Sequence, residues 1–103
     1  MNQYLYRIHP TRMEMLSEGP TSRESELVSQ HFEYLQGLMA QGKLILAGRT
    51  QTADPDGMGI IIFKAESDEA AQALVDSDPA VANGVFAAKL FPYRVALIAQ
   101  ENV

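Results

Sequence analysis

The chain contains no cysteine. That excludes disulfides, thiolate nucleophiles and thiolate metal sites, and it fits a reducing compartment. No apolar run approaches the roughly 18 residues that a membrane span needs. No lysine- or arginine-rich run is present to draw the chain to an anionic membrane surface. Met1-Asn2-Gln3-Tyr4 shows no basic segment followed by an apolar stretch, so no signal peptide is expected and a cytoplasmic location is. There is no Gly-x-Ser-x-Gly elbow for a serine nucleophile and no glycine-rich phosphate loop after a strand. The two histidines, His9 and His31, have no ligand spacing between them. Without cysteine they make no metal signature, and nothing in the pattern calls for haem or flavin. No metal and no cofactor are therefore expected.

What is present is a short, acidic, ordinarily hydrophobic chain. Its 103 residues suit one domain and one core, so residues 1–103 are read as a single unit. Hydrophobic residues make up 47%, which argues against wholesale disorder. A net charge of −5 repels phosphate backbones, so nucleic acid is not an expected partner.

Tyr4 to Ile8, aromatic and branched and followed by Pro10, predicts a first strand. Thr11 to Pro20 has no clean period and reads as a loop, either a flap or a segment anchored by Met13, Met15 and Leu16. Thr21-Ser22-Arg23-Glu24 has the spacing of a capping box. Leu27, His31, Tyr34, Leu35 and Leu38 then fall on one helical stripe. With Gly42 as a left-handed stop, the helix spans roughly residues 22–41. Lys43 to Ala47 predicts the second strand, ending at Gly48. Asp54-Pro55-Asp56-Gly57 is a turn, and Gly59 to Phe63 is the third strand. Ser67 caps a second helix whose apolar side holds Ala70, Ala71, Leu74 and Val75. Asp78-Pro79 ends that helix or opens a new short turn. Val85 to Ile98 predicts the last strand, with Pro92 marking a bulge or an edge. The β-α-β-β-α-β order is that of a ferredoxin-like α+β fold.

Two helices cover one face of a four-stranded sheet, yet Ile60, Ile61 and Ile62 are apolar on both faces of the third strand. The last strand repeats this with Phe86, Leu90, Phe91 and Val95. No spare element remains for the second face, so a second copy of the sheet is its expected cover, and a homodimer is the expected assembly.

His31 interrupts the apolar stripe of the first helix where an aliphatic residue would pack better. It is either a satisfied core histidine or a general acid/base. Asp78 is either a capping carboxylate or the group that orients His31 and raises its basicity. Arg49, after Ala47-Gly48, either faces water or holds a substrate carboxylate, with Gly48 allowing close approach and Pro79 beside Asp78. Arg7 and Arg94 lie in strands one and four, and each pairs with a carboxylate, lines a cleft or faces water.

The run His31-Phe32-Glu33-Tyr34-Leu35, followed by Leu38, Gly42, Leu44 and Ala47-Gly48, resembles the YciI-like (YCII-related) family. So do the run from Asp78-Pro79-Ala80 to Gly84-Val85-Phe86 and the Met15 to Pro20 loop. The resemblance covers residues 3 to 98, and the blocks are specific in combination rather than singly. It implies a dimeric α/β-barrel of ferredoxin-like protomers, with a histidine/aspartate site at His31 and Asp78. A dehydrochlorinase acting on a chlorinated hydroxyquinol belongs to that family. Its wider superfamily includes muconolactone isomerases and haem- or quinone-handling monooxygenases. This chain departs from the pattern at Ala80, where many relatives have a bulky apolar residue, and at Arg49, where proline is frequent. The expectation is a cofactor-independent enzyme of isomerase, lyase or dehydrochlorinase type acting on a small molecule. The alternative is a non-catalytic dimeric ligand-binding or accessory protein.

Overall fold

In the first strand every second side chain turns inward, and this alternation organises the molecule. The computed structural model describes all 103 residues. Strand β1 (Asn2–Pro10) buries Tyr4, Tyr6 and Ile8 on one face. A short helix α1 (Glu14–Ser17) lies within the segment expected to be a loop. Helix α2 (Ser22–Ala40) follows, then β2 (Leu44–Arg49), β3 (Gly59–Ala65), α3 (Asp68–Asp76), a one-turn α4 (Pro79–Ala82) and β4 (Phe86–Tyr93). None of these helices is long and apolar enough to cross a membrane.

Helix α2 begins as its sequence requires. The Thr21 hydroxyl accepts from the Glu24 N–H (3.1 Å), and the Glu24 carboxylate accepts from the Thr21 N–H (2.8 Å). Its buried residues, Glu24, Leu27, His31, Leu35 and Leu38, form one stripe. The chain leaves the helix through Gly42, whose φ of +74° suits glycine. The Arg12 guanidinium grips the Glu24 carboxylate at 2.9 and 2.7 Å and reaches the Gly19 carbonyl, fastening the 11–20 segment to the start of α2. Met15 adds an apolar anchor against Leu27, Ala80 and Val85.

The sheet is antiparallel throughout, in the order β2-β3-β1-β4, and the architecture is α+β and ferredoxin-like. Tyr4, Tyr6 and Ile8 face the helices together with Ile61 and Phe63, and Leu35, Leu38, Ala71 and Val75 close the core above them. Gly59 is glycine for a packing reason, because a Cβ there would stand 2.7 Å from Ile8 Cγ1. Gly48 has no such neighbour, so the close approach expected there does not occur within the chain. Both Gly48 and Arg49 lie inside β2 rather than after it.

The last strand is shorter than expected. It pairs with β1 only from Phe86 to Tyr93, and Leu97 and Ile98 beyond it are 95% and 67% exposed. Pro92 does not interrupt the ladder. It sits opposite Tyr4 in an edge strand, where its missing N–H costs no inter-strand bond on the open side.

The register places Leu5, Leu46, Ile60, Ile62 and Phe91 on the face away from the core. Arg7 and Lys89, cross-strand partners on that face, stand 5.7 and 5.2 Å from the Phe91 ring centre.

The Arg12 clasp gives stability a defined acid dependence. Arg12, and then the Thr21 N–H, hold the Glu24 carboxyl down at about 2 against an ordinary 4.5. A depressed carboxyl stabilises the fold while ionised, so this contribution is present above the ordinary value and is lost as pH falls towards 2. Urea unfolding across that window should show the wild-type midpoint falling with pH. Glu24→Gln should start lower at neutral pH and fall less steeply.

Candidate functional site

Asp78 is fully buried although it carries a carboxylate. Its position follows from local sequence. Helix α3 ends at Asp76, the Asp78 N–H bonds to the Val75 carbonyl, and Pro79 opens α4 at the position where proline is best tolerated. Asp78 is the cap of that turn, and its Oδ1 accepts from the Ala80 N–H at 3.1 Å. Its Oδ2 is turned the other way, toward the sheet and α2. There it accepts from the Tyr6 hydroxyl at 2.8 Å and meets His31 Nδ1 at 2.5 Å.

His31 comes from the middle of α2 and is 9% exposed. Its ring stands nearly perpendicular to that of Phe86, at 5.3 Å between centres and 77° between planes. With the Tyr6 O–H and the Ala80 N–H already donating to the carboxylate, the short contact is best satisfied by a proton on His31 Nδ1. Nε2 is then the lone-pair nitrogen. A carboxylate fixing the tautomer of an imidazole in this way leaves the distal nitrogen free to take or return a proton.

Two tyrosines line the same interior. Burial, then the charge and hydrogen bond of Asp78, push the Tyr6 phenol far above its ordinary acidity range, so it remains a donor. Burial and the charge of Asp78 push Tyr34 up to about 12, and its hydroxyl is committed to the Leu74 carbonyl at 2.6 Å.

Of the residues singled out from sequence, the structure brings His31, Asp78 and Pro79 together. It does not bring Gly48 and Arg49 to them within one chain. Both lie on β2, the opposite edge of the sheet from β4, three strand spacings or on the order of 14 Å from Phe86. Gly48 pairs with Ile60 on the face away from the core. Two shallow depressions, of about 370 and 360 Å³, flank Tyr4 and Asp68 and include neither His31 nor Asp78. No group of three or more His, Asp or Glu side chains is placed to hold a metal ion.

Tyr6 was missed in the sequence. The signal was available in the alternation of Tyr4, Tyr6 and Ile8, which turns Tyr6 inward, where a buried phenol requires a polar partner. Which partner it finds is a long-range fact, 72 residues along the chain.

Removing the Asp78 carboxylate would strand three donors at once. Asp78→Ala should cost about 3 kcal/mol or more in urea unfolding. Asp78→Asn should cost clearly less, because a carboxamide oxygen still accepts from Tyr6.

A model of the YCII-related domain family matches residues 5–91. Among solved structures, the chain is similar to a 5-chloro-2-hydroxyhydroquinone dehydrochlorinase from Burkholderia phenoliruptrix AC1100, in complex with 2,5-dihydroxybenzoquinone. The TM-score is 0.63 at 21% identity, over 88% of this chain and 93% of that one. None of the curated proteins matches the chain.

Proposed function

The chain belongs to the YCII-related domain family, and we propose that it is a cofactor-independent small-molecule enzyme in which His31 moves a proton and Asp78 holds the imidazole. The observation that carries this reading is the 2.5 Å contact between His31 Nδ1 and the fully buried Asp78. A histidine kept only for packing has no need of a buried carboxylate, whose desolvation costs several kcal/mol before its partners offset it. The structural neighbour is a dehydrochlorinase solved with a dihydroxyquinone, which favours a hydroxylated ring as the substrate class.

The chemistry needs only one group that can be both base and acid. Nε2 takes a proton from a substrate C–H or O–H, and the charge on the imidazolium is balanced by Asp78 across Nδ1. In an elimination, the released electron pair forms a double bond as the leaving group departs with its own pair. In an isomerisation, the imidazolium returns the proton to a different carbon. Positioned proton transfer of this kind is worth about 10²–10⁴-fold in rate. Arg49 and Gly48 have no part in this proposal.

The reading includes a homodimer closed through the open sheet face. Leu5, Leu46, Ile60, Ile62 and Phe91 form an apolar surface there, and its simplest cover is a second copy of the sheet. Light scattering should give twice the chain mass. Leu46→Lys should shift the protein to monomer, because Leu46 is 46% exposed in the single chain and its replacement costs the protomer little.

The catalytic pair is tested by proton NMR. His31 and the exposed His9 are the two histidines, so His9 is the internal control. The His31 titration midpoint should fall clearly in Asp78→Asn; an unmoved midpoint would mean the two groups are not coupled. Against a panel of hydroxylated and chlorinated hydroxyquinol rings, His31→Ala should lose about 10²–10⁴-fold in turnover. Melting shifts without product from the wild type would make the protein a binding module instead.

A further inference from the structure

Asp78 Oδ2 receives two donors, His31 Nδ1 at 2.5 Å and the Tyr6 hydroxyl at 2.8 Å. A single carboxylate oxygen shares its negative charge between the hydrogen bonds it accepts, so a second donor weakens the hold on the first. We propose that Tyr6 is a positioning residue that moderates the basicity of His31 by drawing on the same Asp78 oxygen that charges the imidazole. The inference rests on the His31/Asp78 reading above and adds to it the group that tunes the pair.

Three features support it. Tyr6 is 0% exposed. It is paired with Ile61 and Leu90 across the sheet and packed edge-on to Phe63 at 5.7 Å. Its hydroxyl has one partner in the structure, and that partner is the carboxylate that also meets His31. Burial and the charge of Asp78 keep the phenol protonated far above its ordinary range, so the donor persists wherever the imidazole titrates.

The other titratable groups around the pair leave this role to Tyr6. From α2, Tyr34 is spent on the Leu74 carbonyl. From β4, Phe86 carries no charge, and Lys89 lies on the opposite face of the sheet beside Phe91. The Arg12–Glu24 ion pair lies two turns along α2, about 10 Å away, and is neutral as a unit. Helix α4 contributes only apolar side chains.

The test is an NMR titration of His31 in wild type, Tyr6→Phe, Asp78→Asn and the double variant. Tyr6→Phe removes one oxygen, returns charge to the His31 bond, and should raise the His31 midpoint by about half a unit. Asp78→Asn should lower it, and in that background the effect of Tyr6→Phe should fall to less than half. A midpoint that is unmoved or lowered in Tyr6→Phe overturns the proposal. So does an equal shift in both backgrounds, which is what a packing role gives. Should Tyr6→Phe not fold, the wild-type chain labelled with 3-fluorotyrosine is titrated instead. The more acidic phenol donates more strongly, so the midpoint should fall, and an unchanged value overturns the proposal. If Asp78→Asn leaves His31 unmoved, the catalytic pair itself fails. If Asp78→Asn moves it and Tyr6→Phe does not, only the role of Tyr6 fails.

Discussion

A carboxylate with no solvent exposure is the constraint on which the interior depends. Ionised and isolated, it would be too costly to bury. In this chain Asp78 is offset by one donor from β1, one from α2 and one from its own turn. Those three bonds cross-link the sheet, the long helix and the short helix at a single point. The arrangement also explains why the stripe of α2 carries a histidine among leucines. An aliphatic side chain at position 31 would leave Oδ2 with the Tyr6 hydroxyl alone. The bond that makes Asp78 tolerable in the core therefore also orients the imidazole of His31.

Around that point the molecule is two layers, with both helical faces on one side of the sheet. The core side is closed by aromatic packing, with Tyr4 and Tyr6 each 5.7 Å from Phe63. The other side carries an apolar residue on every strand, Leu5, Leu46, Ile60, Ile62 and Phe91, and its charged residues are the cations Arg7, Lys64 and Lys89. Such a face in a chain of net charge −5 is unlike an ordinary wet sheet surface, which alternates to polar residues.

Membership of the YCII-related family and the likeness to the dehydrochlorinase concern the fold. At 21% identity the shared architecture does not carry a substrate with it, and fold and function separate readily in small α+β domains. Ala80 contributes to the interior in two ways. Its methyl is fully buried against Leu27 and Val85, while its backbone N–H is what Asp78 uses. That hydrogen bond does not depend on the side chain at position 80, but a bulkier one would need different neighbours.

Local rules were enough for most elements. The capping box, the α2 stripe and the Gly42 stop were legible because each depends on residues a few positions apart. The inward set Tyr4, Tyr6 and Ile8 was not singled out from sequence, although its alternation is likewise a property of one strand. The end of β4 was not legible. Val95, Leu97 and Ile98 have strand-like side chains, but the ladder with β1 ends where Tyr93 stands opposite Gln3. Nor could Arg49 be placed, because its distance from His31 depends on the strand order, which no local pattern encodes. His31 and Asp78 could each be singled out, one as a polar break in an apolar stripe and the other as a carboxylate before proline. That they meet across 47 residues, and that Tyr6 donates to the same Asp78 oxygen, was decided only by tertiary structure, because a buried charge selects its partners from whatever the packed layers bring within 3 Å.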